Sequence, residues 1–553
     1  MIAILSNINI DPIKIYFKKE KLYLPSYNQV QQEFLNSTSV IYTEEVDKIL
    51  VFLDYSAYFV GEKNANEVSE MIFHEFNYLM DYIEKYTQEQ RNKILIINNI
   101  VIKKNLLMPY NKNEMFNVFR LEQELNQRLY NVAIKRNNIY ILNWENIIEN
   151  YGWDKILNNK YWYIGRIRYT TFALDLIYKE YTNIIKGIKG ITKKVCIVDL
   201  DNTLWGGVIG DDGLEGIALS EEGVGKAYRD FQKCIKSLKE IGILLCIASK
   251  NNFEIVKECF DKHPMMILSI DDFIITKINW NNKSENIKEI ADELNLGLDS
   301  FVFIDDNPFE RQLVKDYLPD VSVPDFPAEP YELVDWFYKV LIPEYFVKIN
   351  LTDEDLTKHN QYKANLERAK LEKDVTDYNT FIEKLDIRYN VFINNRLQIS
   401  RISQLTQKTN QFNLTTKRYT ELDIEKLLQD KLNFIYTLEY IDKFGKEGIV
   451  SLAIVKPEDD KMFIDSFLMS CRVFGRFLEY NFMKEIALDL LKKGMTEIYA
   501  KYIPTNKNAI VKEFYTNCGF TKIEDGLYYA KLDDVVKFIN QNYIKLKGEI
   551  INE

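Results

Sequence analysis

Two short apolar runs that each end in a pair of aspartates constrain this chain more than any other feature. VCIVDLD places Asp199 and Asp201 after one run, and FVFIDDN places Asp305 and Asp306 after another. Such runs are typical of strands buried on both faces of a parallel sheet, and ligands bind at the carboxyl ends of these strands. We therefore expect the acids to meet at one sheet edge.

The residues around these acids predict a phosphoryl-transfer site. Gathered carboxylates repel one another unless a cation lies between them, and Mg²⁺ is expected because it prefers oxygen ligands. LLCIASKNN ends a third strand in Ser249, and Lys283 precedes a helix. These residues include candidates for a nucleophile, an acid/base, metal ligands and phosphate-binding groups, which are the parts that phosphoryl transfer requires. Helix capping would explain a lone Asp-x-Asp, but not this ordered set.

Length and composition exclude several classes of protein. At about 100–200 residues per domain, 553 residues predict about three to five domains. A net charge of −11 argues against a nucleic-acid or anionic-membrane binder. The 6 cysteines form no Cys-x-x-Cys pair, and 3 histidines cannot complete the usual zinc spacings. Sparse cysteines and the absence of a long apolar run predict a cytoplasmic protein.

The rhythm of apolar segments predicts four parts. The first alternates strands with amphipathic helices, the second repeats an α/β rhythm, the third is a charged helical connector, and the last is an α+β meander. The predicted bounds are 1–190, 191–345, 346–384 and 385–553. Strands are predicted at Ile2–Leu5, Lys48–Leu53, Lys93–Asn98, Lys194–Leu200, Leu244–Ser249, Phe273–Ile275, Phe301–Ile304 and Lys461–Met469. Helices are predicted at Arg476–Lys493 and Ala509–Asn517.

The segment SCRVFGR predicts a second site. It joins a strand to a helix, and backbone amides at a helix start can bind a phosphate-containing arm. The helix dipole, Arg472 and Arg476 would lower the pKa of the Cys471 thiol and make it a nucleophile. The alternative is a cysteine that only packs at a strand end.

The acid motifs resemble the haloacid dehalogenase (HAD) phosphatase superfamily. DLDNT, IASKN, Lys283 and IDDNP match its four motifs in order. The resemblance implies that Asp199 is the nucleophile and Asp201 the acid/base. It leaves open whether Asp306 or Asn307 assists. It further implies that Thr203 orients the loop, that Ser249 and Lys283 hold phosphoryl oxygens, and that Asp199, Asp201 and Asp305 bind Mg²⁺. The short gap from Thr203 to Lys226 predicts a minimal cap and an open site.

The C-terminal region resembles the N-acetyltransferase-like (GNAT) fold. Arg472 and Gly475 fit the Arg-x-x-Gly part of its phosphate loop, although Phe477 replaces the usual small residue. NKNAIVKEFYTNCGF is similar to the signature in which Asn508 and Tyr515 face an acyl thioester.

Longer segments resemble the FkbH-like family, over about residues 1–532. These segments are DLDNTLWGGVIGDDGLEGI, QLTQKTNQFNLTTKRYT and SCRVFGR. The resemblance implies an SGNH-hydrolase-like α/β/α sandwich, a HAD-type parallel sheet and a GNAT-like α+β domain. It implies transfer of a glyceryl unit from 1,3-bisphosphoglycerate to the phosphopantetheine thiol of an acyl carrier protein, in polyketide or other secondary metabolism. Cys471 would carry the glyceryl thioester. The residues that would line the transfer site, unless they only form a polar helix end and loop, are Asn410, Gln411, Asn413, Thr415 and Arg418.

The first part departs from an active SGNH enzyme. Ser6 and Asn7 stand where a Gly-Asp-Ser block is expected, no Asp-x-x-His block follows, and His74 lies in a helical run. A serine without a base lacks activation, so we interpret this part as a structural, docking or assembly domain. The aromatic residues Tyr161, Trp162 and Tyr163 are interpreted as packing residues rather than a sugar site.

Two other functions remain open at this point. One is a phosphatase acting on a small phosphorylated sugar or acid in polysaccharide or secondary metabolism. The other is a carrier-protein assembly scaffold without catalysis, which the complete acid set disfavours because a scaffold does not need it.

Overall fold

The computed structural model describes residues 1–26, 28–60, 65–104, 111–349, 351, 353–375, 377–458, 461–470 and 473–551. In chain order, the strands of this part are β1 (Ile2–Ser6), β2 (Leu22–Tyr23), β3 (Lys48–Phe52), β4 (Ile94–Asn98), β5 (Ile139–Leu142), β6 (Val195–Val198), β7 (Leu244–Ser249), β8 (Ile275–Ile278), β9 (Phe301–Ile304), β10 (Arg388–Ile393), β11 (Phe434–Asp442), β12 (Gly445–Glu458), β13 (Lys461–Met469), β14 (Glu497–Lys501), β15 (Thr521–Glu524), β16 (Leu527–Lys531) and β17 (Lys547–Ile551).

The α-helices of the described chain vary from single turns to long amphipathic rods. They are α1 (Val30–Leu35), α2 (Ala65–Glu89), α3 (Lys112–Ile134), α4 (Trp144–Tyr151), α5 (Trp153–Ile156), α6 (Asn159–Gly165), α7 (Thr171–Ile188), α8 (Ile209–Gly216), α9 (Gly223–Ser237), α10 (Phe253–Lys262), α11 (Lys283–Leu294), α12 (Pro308–Tyr317), α13 (Leu333–Trp336), α14 (Ile342–Tyr345), α15 (Asp353–Lys373), α16 (Tyr378–Leu385), α17 (Ile399–Lys408), α18 (Glu421–Leu427), α19 (Leu478–Lys492) and α20 (Leu532–Asn542). Among the residues so described, no helix is both long and apolar enough to cross a bilayer.

One compact unit comprises Met1–Lys194 together with Pro327–Leu351. Its sheet is parallel throughout, in the order β2-β1-β3-β4-β5. Alternate strand residues enter different cores: Ala3 and Leu5 pack on the side of α2 and α3, whereas Ile2 and Ile4 pack on the side of α4 and α7. A sheet covered by helices on both faces is an α/β/α sandwich, which the continuous apolar strands require.

The other compact unit comprises Val195–Phe326 and Thr352–Glu553. Its first part holds a four-stranded parallel sheet in the order β8-β7-β6-β9. Strand β6 is buried along its whole length and lies between β7 and β9. The loops that follow these three strands therefore start side by side at one edge, and this edge carries the predicted acids.

The C-terminal part of the same unit holds an eight-stranded sheet in the order β15-β16-β14-β13-β12-β11-β10-β17. Most pairs are antiparallel, but β13 pairs with β14 and β10 with β17 in parallel. Helices α19 and α20 contact each other, and both contribute to one large core. A smaller core lies beneath α17 and α18.

Helix α15 joins the two cores of this unit. Tyr362 and Leu366 pack against the core of the four-stranded sheet. Two residues further on, the guanidinium of Arg368 is buried and forms a bidentate ion pair with Asp442, with Nε–Oδ2 2.6 Å and Nη2–Oδ1 2.8 Å. Arg368 also pairs with Glu447. The helix thus packs its apolar side on one core and its cationic residue on the β11–β12 hairpin.

The α/β multidomain fold predicted from the sequence is confirmed, with two local errors. The strand predicted at Phe273–Ile275 begins at Ile275 and ends at Ile278. The predicted helix Ala509–Asn517 is wrong, because the segment contains two 3₁₀ turns, Ala509–Val511 and Thr516–Cys518. The four-part division of the chain stays a prediction.

Candidate functional site

Three carboxylates meet at the carboxyl edge of the four-stranded sheet. Asp199 follows β6, and Asp305 and Asp306 follow β9, so the pairing of these strands brings them together. Each offers an oxygen, and these oxygens lie within 4.8 Å of one another. Asp199 and Asp305 are buried, and Asp306 is partly exposed. The strand-end argument predicted that Asp199, Asp201, Asp305 and Asp306 meet at this edge, and three of the four do.

Lys283 supplies the positive charge of the cluster. Its Nζ lies 2.5 Å from Oδ2 of Asp305 and 3.0 Å from Oδ2 of Asp199, and the side chain is buried. Burial alone would lower the pKa of Lys283, but the two carboxylates outweigh it and raise the pKa. The single charged ammonium of Lys283 therefore lies beside three acids, and it cannot balance the charge of all three carboxylates.

The cluster fits a divalent cation. Asp199 Oδ1 is buried and has no hydrogen-bond partner in the described chain, so Lys283, which contacts Oδ2, satisfies only one oxygen of this carboxylate. Burial, and then the charge of Asp199, raises the pKa of both Asp305 and Asp306. These are the conditions that Mg²⁺ relieves, because it takes oxygen ligands and neutralises acids that repel one another.

The loop after β6 is shaped by two residues with positive φ. Asn202 has φ 54° and accepts a hydrogen bond from the amide of Gly207 at 2.8 Å. Gly207 has φ 92°, and a Cβ there would lie 2.6 Å from Asp212 Oδ2. Thr203 is buried, and its Oγ1 accepts from the Asp306 amide at 3.2 Å. The Asp-Asn-Thr segment and the following glycines thus fix the loop that carries Asp199.

Asp201 does not join the three-acid cluster in the described structure. Its Oδ1 accepts hydrogen bonds from Trp205 Nε1 at 2.8 Å and from the Ile209 amide at 3.0 Å, and its Oδ2 accepts from Asn251 Nδ2 at 2.8 Å. Burial raises its pKa, and the charge of Asp199 adds to this. The sequence argument assumed that the strand continues through both acids, but β6 ends at Val198, before either of them, so strand alternation does not place Asp199 and Asp201 on the same side.

Asn251 and Arg311 are contributors that the sequence analysis missed. Asn251 is buried two residues after Ser249, which itself is buried at the end of β7. Arg311 Nη1 donates to the carbonyls of Asp305 at 2.8 Å and of Asp306 at 2.6 Å. The position of Asn251 just after a strand end could have identified it from the sequence. Arg311 could not be identified in this way, because it contacts backbone carbonyls and belongs to no sequence motif. Asn307 caps α12, and its amide donates to Asp305 Oδ1 at 2.8 Å.

The second predicted site is described only in part. Cys471 and Arg472 lie outside the described residues. Gly475 has φ 83°, and its carbonyl accepts a hydrogen bond from the Tyr378 hydroxyl. Arg476 Nη1 donates to the Tyr440 hydroxyl at 2.8 Å. The turn before α19 is therefore anchored on both sides by tyrosines.

The residues of the NQFNLTTKRY segment brace one another. Asn413 is buried, and its Oδ1 accepts from the Thr416 amide at 2.8 Å. Thr415 Oγ1 donates to the Asp465 carbonyl at 3.0 Å. Arg418 donates to Asn410 Oδ1 and to the Thr409 carbonyl, and Gln411 is exposed. These contacts give the loop a fixed shape, and the role of these residues in binding an acyl chain stays a prediction.

Asn508 and Tyr515 lie in the interior of the C-terminal part. Asn508 Nδ2 donates to the carbonyls of Asn413 and Ile503, both at 2.9 Å, so this side chain joins two loops. Tyr515 is fully buried, and its hydroxyl has no hydrogen-bond partner among the described residues. Their predicted contact with a thioester also stays a prediction.

In the first unit, Ser6 is held within the sheet edge. Its Oγ donates to the Phe52 carbonyl at 2.7 Å and accepts from the Ile8 amide at 3.2 Å. His74 is exposed on α2. Of the predicted packing aromatics, Tyr161 is 50% and Tyr163 78% exposed, which is more than packing residues require. Trp162 lies 5.1 Å from the guanidinium of Arg166 and 5.6 Å from that of Arg168.

Comparison with known proteins identifies a relative with a phosphatase domain. No family model and no curated protein matches the sequence. The solved N-terminal part of protein BF1531 from Bacteroides fragilis, which contains a phosphatase domain complexed with Mg, is 31% identical. The match covers 63% of this chain and 94% of that one, with a TM-score of 0.56. At this identity and coverage, the chain belongs to the same family as BF1531.

Matches to acetyltransferases are weaker. The ribosomal-protein-S18-alanine N-acetyltransferase from Escherichia coli is 12% identical, with a TM-score of 0.21, over 26% of this chain and 94% of its own. A GNAT-family acetyltransferase from Staphylococcus aureus is 15% identical, with a TM-score of 0.21, over 26% of this chain and 99% of its own.

Proposed function

We propose that this chain is a Mg²⁺-dependent phosphatase or phosphotransferase of the haloacid dehalogenase type. The observation that carries the proposal is the buried Oδ1 of Asp199, which has no partner within the described residues and lies beside two further acids and one lysine. A nucleophile must be free of competing donors, and this oxygen meets that condition among the described residues. The kinship with a phosphatase-domain protein that was solved with Mg supports the same conclusion.

In the first step, Asp199 would attack the phosphorus of a phosphate ester. The new bond joins Asp199 Oδ1 to phosphorus, and the bond from phosphorus to the leaving oxygen breaks. Asp201 would give its proton to that oxygen, which leaves as an alcohol. Lys283 and Ser249 would hold the phosphoryl oxygens, since both are buried at the same sheet edge.

In the second step, water would hydrolyse the aspartyl phosphate. Asp201, now ionised, takes a proton from the attacking water, and the oxygen–phosphorus bond to Asp199 breaks to release inorganic phosphate. Asp199, Asp305 and Asp306 are the residues that would hold Mg²⁺. The ion would offset the charge of the acids and of the incoming phosphate dianion.

The test is the substitution Asp199→Asn, with phosphate release from a phosphomonoester as the measurement. The amide keeps the shape of the side chain and removes its charge, so the rate should fall by more than about a thousandfold. The matched control is Asp325→Asn, because Asp325 lies on the surface with a side chain 90% exposed. Wild-type release by Asp199→Asn, with the circular dichroism unchanged, would show that Asp199 is not the nucleophile.

The finer proposal concerns the substrate and rests on the resemblance to the FkbH-like family. The Cys471 thiolate would attack the acyl carbon of 1,3-bisphosphoglycerate and form a thioester, while the acyl phosphate leaves as inorganic phosphate. The Asp199 site would hydrolyse the remaining phosphate ester. The phosphopantetheine thiol of an acyl carrier protein would then attack the thioester, take the glyceryl group and release the Cys471 thiol.

Intact-protein mass spectrometry tests this finer proposal directly. After incubation with 1,3-bisphosphoglycerate and Mg²⁺, the wild type should gain a covalent adduct, and a holo carrier protein should then acquire the glyceryl mass. Cys471→Ala should lose both masses and keep hydrolysis of a simple phosphomonoester. The buried Cys518 provides the control Cys518→Ala, which should keep the adduct. Carrier loading by Cys471→Ala at the wild-type rate would contradict the thioester and leave a plain phosphatase or direct transfer.

A further inference from the structure

Four exposed apolar side chains lie at the edge of the sheet that carries the acid cluster, and the proposed phosphatase chemistry does not use them. Each follows a different strand of the four-stranded sheet, close to the start of the next helix. We call this set the apolar rim: Val208 after β6, Phe253 after β7, Trp280 after β8 and Phe309 after β9. Trp280 is 75% and Phe309 66% exposed. Single exposed apolar residues are normal on a protein surface, but one after every strand of a sheet is a pattern that calls for a ligand.

Two members of the rim are held next to Asp201 by the chain. Val208 precedes Ile209, whose amide donates to Asp201 Oδ1 at 3.0 Å. Phe253 lies two residues after Asn251, whose side chain donates to Asp201 Oδ2 at 2.8 Å. Both apolar residues therefore flank the carboxyl group that is proposed to protonate the leaving oxygen.

The other two members of the rim are tied to the acid cluster in the same way. Trp280 is three residues from Lys283, and Phe309 is three residues from Asp306. Three residues span at most about 11 Å of extended chain. The rim is thus within reach of any group that projects a short distance from a phosphate bound at the cluster.

The alcohol part of a phosphate ester is the group that meets this rim. In the proposed reaction phosphorus reaches Asp199 Oδ1, which is buried among the acids at the strand ends. The attacking and leaving oxygens lie roughly in line, so the leaving oxygen and its substituent point away from Asp199 and out between the loops. Residues 204–222 are all described and form one eight-residue helix, α8, before α9 begins. This segment therefore holds no domain that could cover the edge in place of the rim.

The cations at this edge are already engaged. From each strand end through the first turn of the next helix, the chain contains three of them, Lys250, Lys283 and Arg311. Lys250 Nζ lies 2.7 Å from Glu310 Oε1. Lys283 pairs with two of the clustered acids, and Arg311 donates to two backbone carbonyls. A second negative charge on the substrate would therefore meet apolar side chains and no free cation within these described loops.

We propose that the apolar rim selects phosphate monoesters whose alcohol part is apolar and uncharged. The inference rests on the proposed phosphatase function and names the substrate class of that site. Contact with the rim removes apolar surface of both partners from water. The contact is made in the ground state and in the transition state alike, so it should lower KM rather than raise kcat.

Steady-state hydrolysis of two n-alkyl phosphates by the full-length chain with Mg²⁺ tests the inference. Ethyl and hexyl phosphate share the same reacting group and differ by four methylenes. A fully buried methylene contributes about fourfold in affinity, so half-burial of four predicts a kcat/KM for hexyl phosphate at least about tenfold above that for ethyl phosphate. A second pair, glycerol 3-phosphate and 3-phosphoglycerate, differs by a carboxylate, which should lower kcat/KM.

Substitutions in the rim make the test specific. Trp280→Ala and Phe309→Ala should each lower the ratio of kcat/KM for hexyl over ethyl phosphate by at least about threefold, mainly through KM. Tyr317→Ala is the matched control and should keep the wild-type ratio, because Tyr317 is an exposed aromatic residue at the other end of α12 from Phe309. All three side chains are exposed, so the variants should fold.

The possible outcomes separate this inference from the proposed function. Hydrolysis of both alkyl esters with equal kcat/KM, or an unchanged ratio in both rim variants, would overturn the inference and leave the phosphatase function standing. A higher kcat/KM for 3-phosphoglycerate than for glycerol 3-phosphate would overturn the selection for an uncharged alcohol part. Hydrolysis of none of the four esters would overturn the proposed function and this inference with it.

Discussion

Replacing Lys283 with methionine tests whether this lysine neutralises the acid cluster. Its Nζ lies 2.5 Å from Asp305 and 3.0 Å from Asp199. At an effective dielectric constant of about 20, these contacts correspond to attractions of about 7 and 6 kcal/mol. Desolvation of the buried charges offsets much of this sum, so loss of the cation should lower the free energy of unfolding by about 3–5 kcal/mol.

The measurement is urea unfolding in EDTA at pH 7.5, with Lys277→Met as the control. Lys277 pairs with Glu289 and Glu293, which are 53% and 43% exposed, so its loss should cost no more than about 1 kcal/mol. Saturating Mg²⁺ should restore more stability to Lys283→Met than to the wild type, because the ion replaces the missing charge. A Lys283→Met variant within about 1 kcal/mol of the wild type in EDTA would refute the reasoning.

Two further predictions concern the buried Arg368 and the pH dependence of the acid cluster. Arg368→Met leaves Asp442 buried without its partner, so it should lower the free energy of unfolding, measured in urea, by about 3–5 kcal/mol. The control Arg388→Met, at a side chain that is 61% exposed, should lower it by less than about 1 kcal/mol. Similar losses of stability in the two variants would contradict this prediction. Burial and Asp199 raise the folded-state pKa of Asp305, so its contribution to stability is full below the unfolded-state pKa and declines as pH rises through the folded-state pKa. The increase in melting temperature on adding Mg²⁺ should therefore be larger at pH 7.5 than at pH 5, and a pH-independent increase would contradict this.

The strand ends could be predicted from the sequence because burial determines them. A run such as VCIV has no polar residue to expose, so it must lie inside a sheet, and the first acid after it marks the edge. For this reason the apolar runs predict that Asp199 and Asp305 lie close together, and the structure brings them together. The same reasoning does not place Asp201 correctly, because side chains point alternately to the two faces of a sheet only within a strand, and β6 ends before Asp201. The left-handed conformation of Asn202 then takes the chain into a turn.

The C-terminal part was harder to predict for a different reason. Strand β17 is mostly exposed and carries no apolar alternation, so only its pairing with β10 defines it. The turn Thr516–Cys518 follows the buried Tyr515 and ends at Gly519, which has φ 86°. Gly519 marks where a helix would end, but it does not show that the preceding segment forms 3₁₀ turns instead of an α-helix. The local pattern of apolar residues therefore predicts the two parallel sheets better than the mixed eight-stranded sheet, because the edge strands of the mixed sheet are defined by pairing with residues far away in the sequence.

The environment of Asp201 suits a residue that must be an acid first and a base afterwards. Three hydrogen-bond donors stabilise its ionised form, while burial and the charge of Asp199 oppose it and prevail, so its pKa is raised. A phosphate ester arriving beside Asp199 adds negative charge and would raise the pKa of Asp201 further, which favours the protonated acid when a leaving group is present. In the proposed reaction, once the alcohol departs with that proton, the same donors would hold the carboxylate ready to accept a proton from water. The two roles follow from one set of contacts, and Asn251 is the contact whose loss should affect them most, because it alone engages Oδ2 among the described donors.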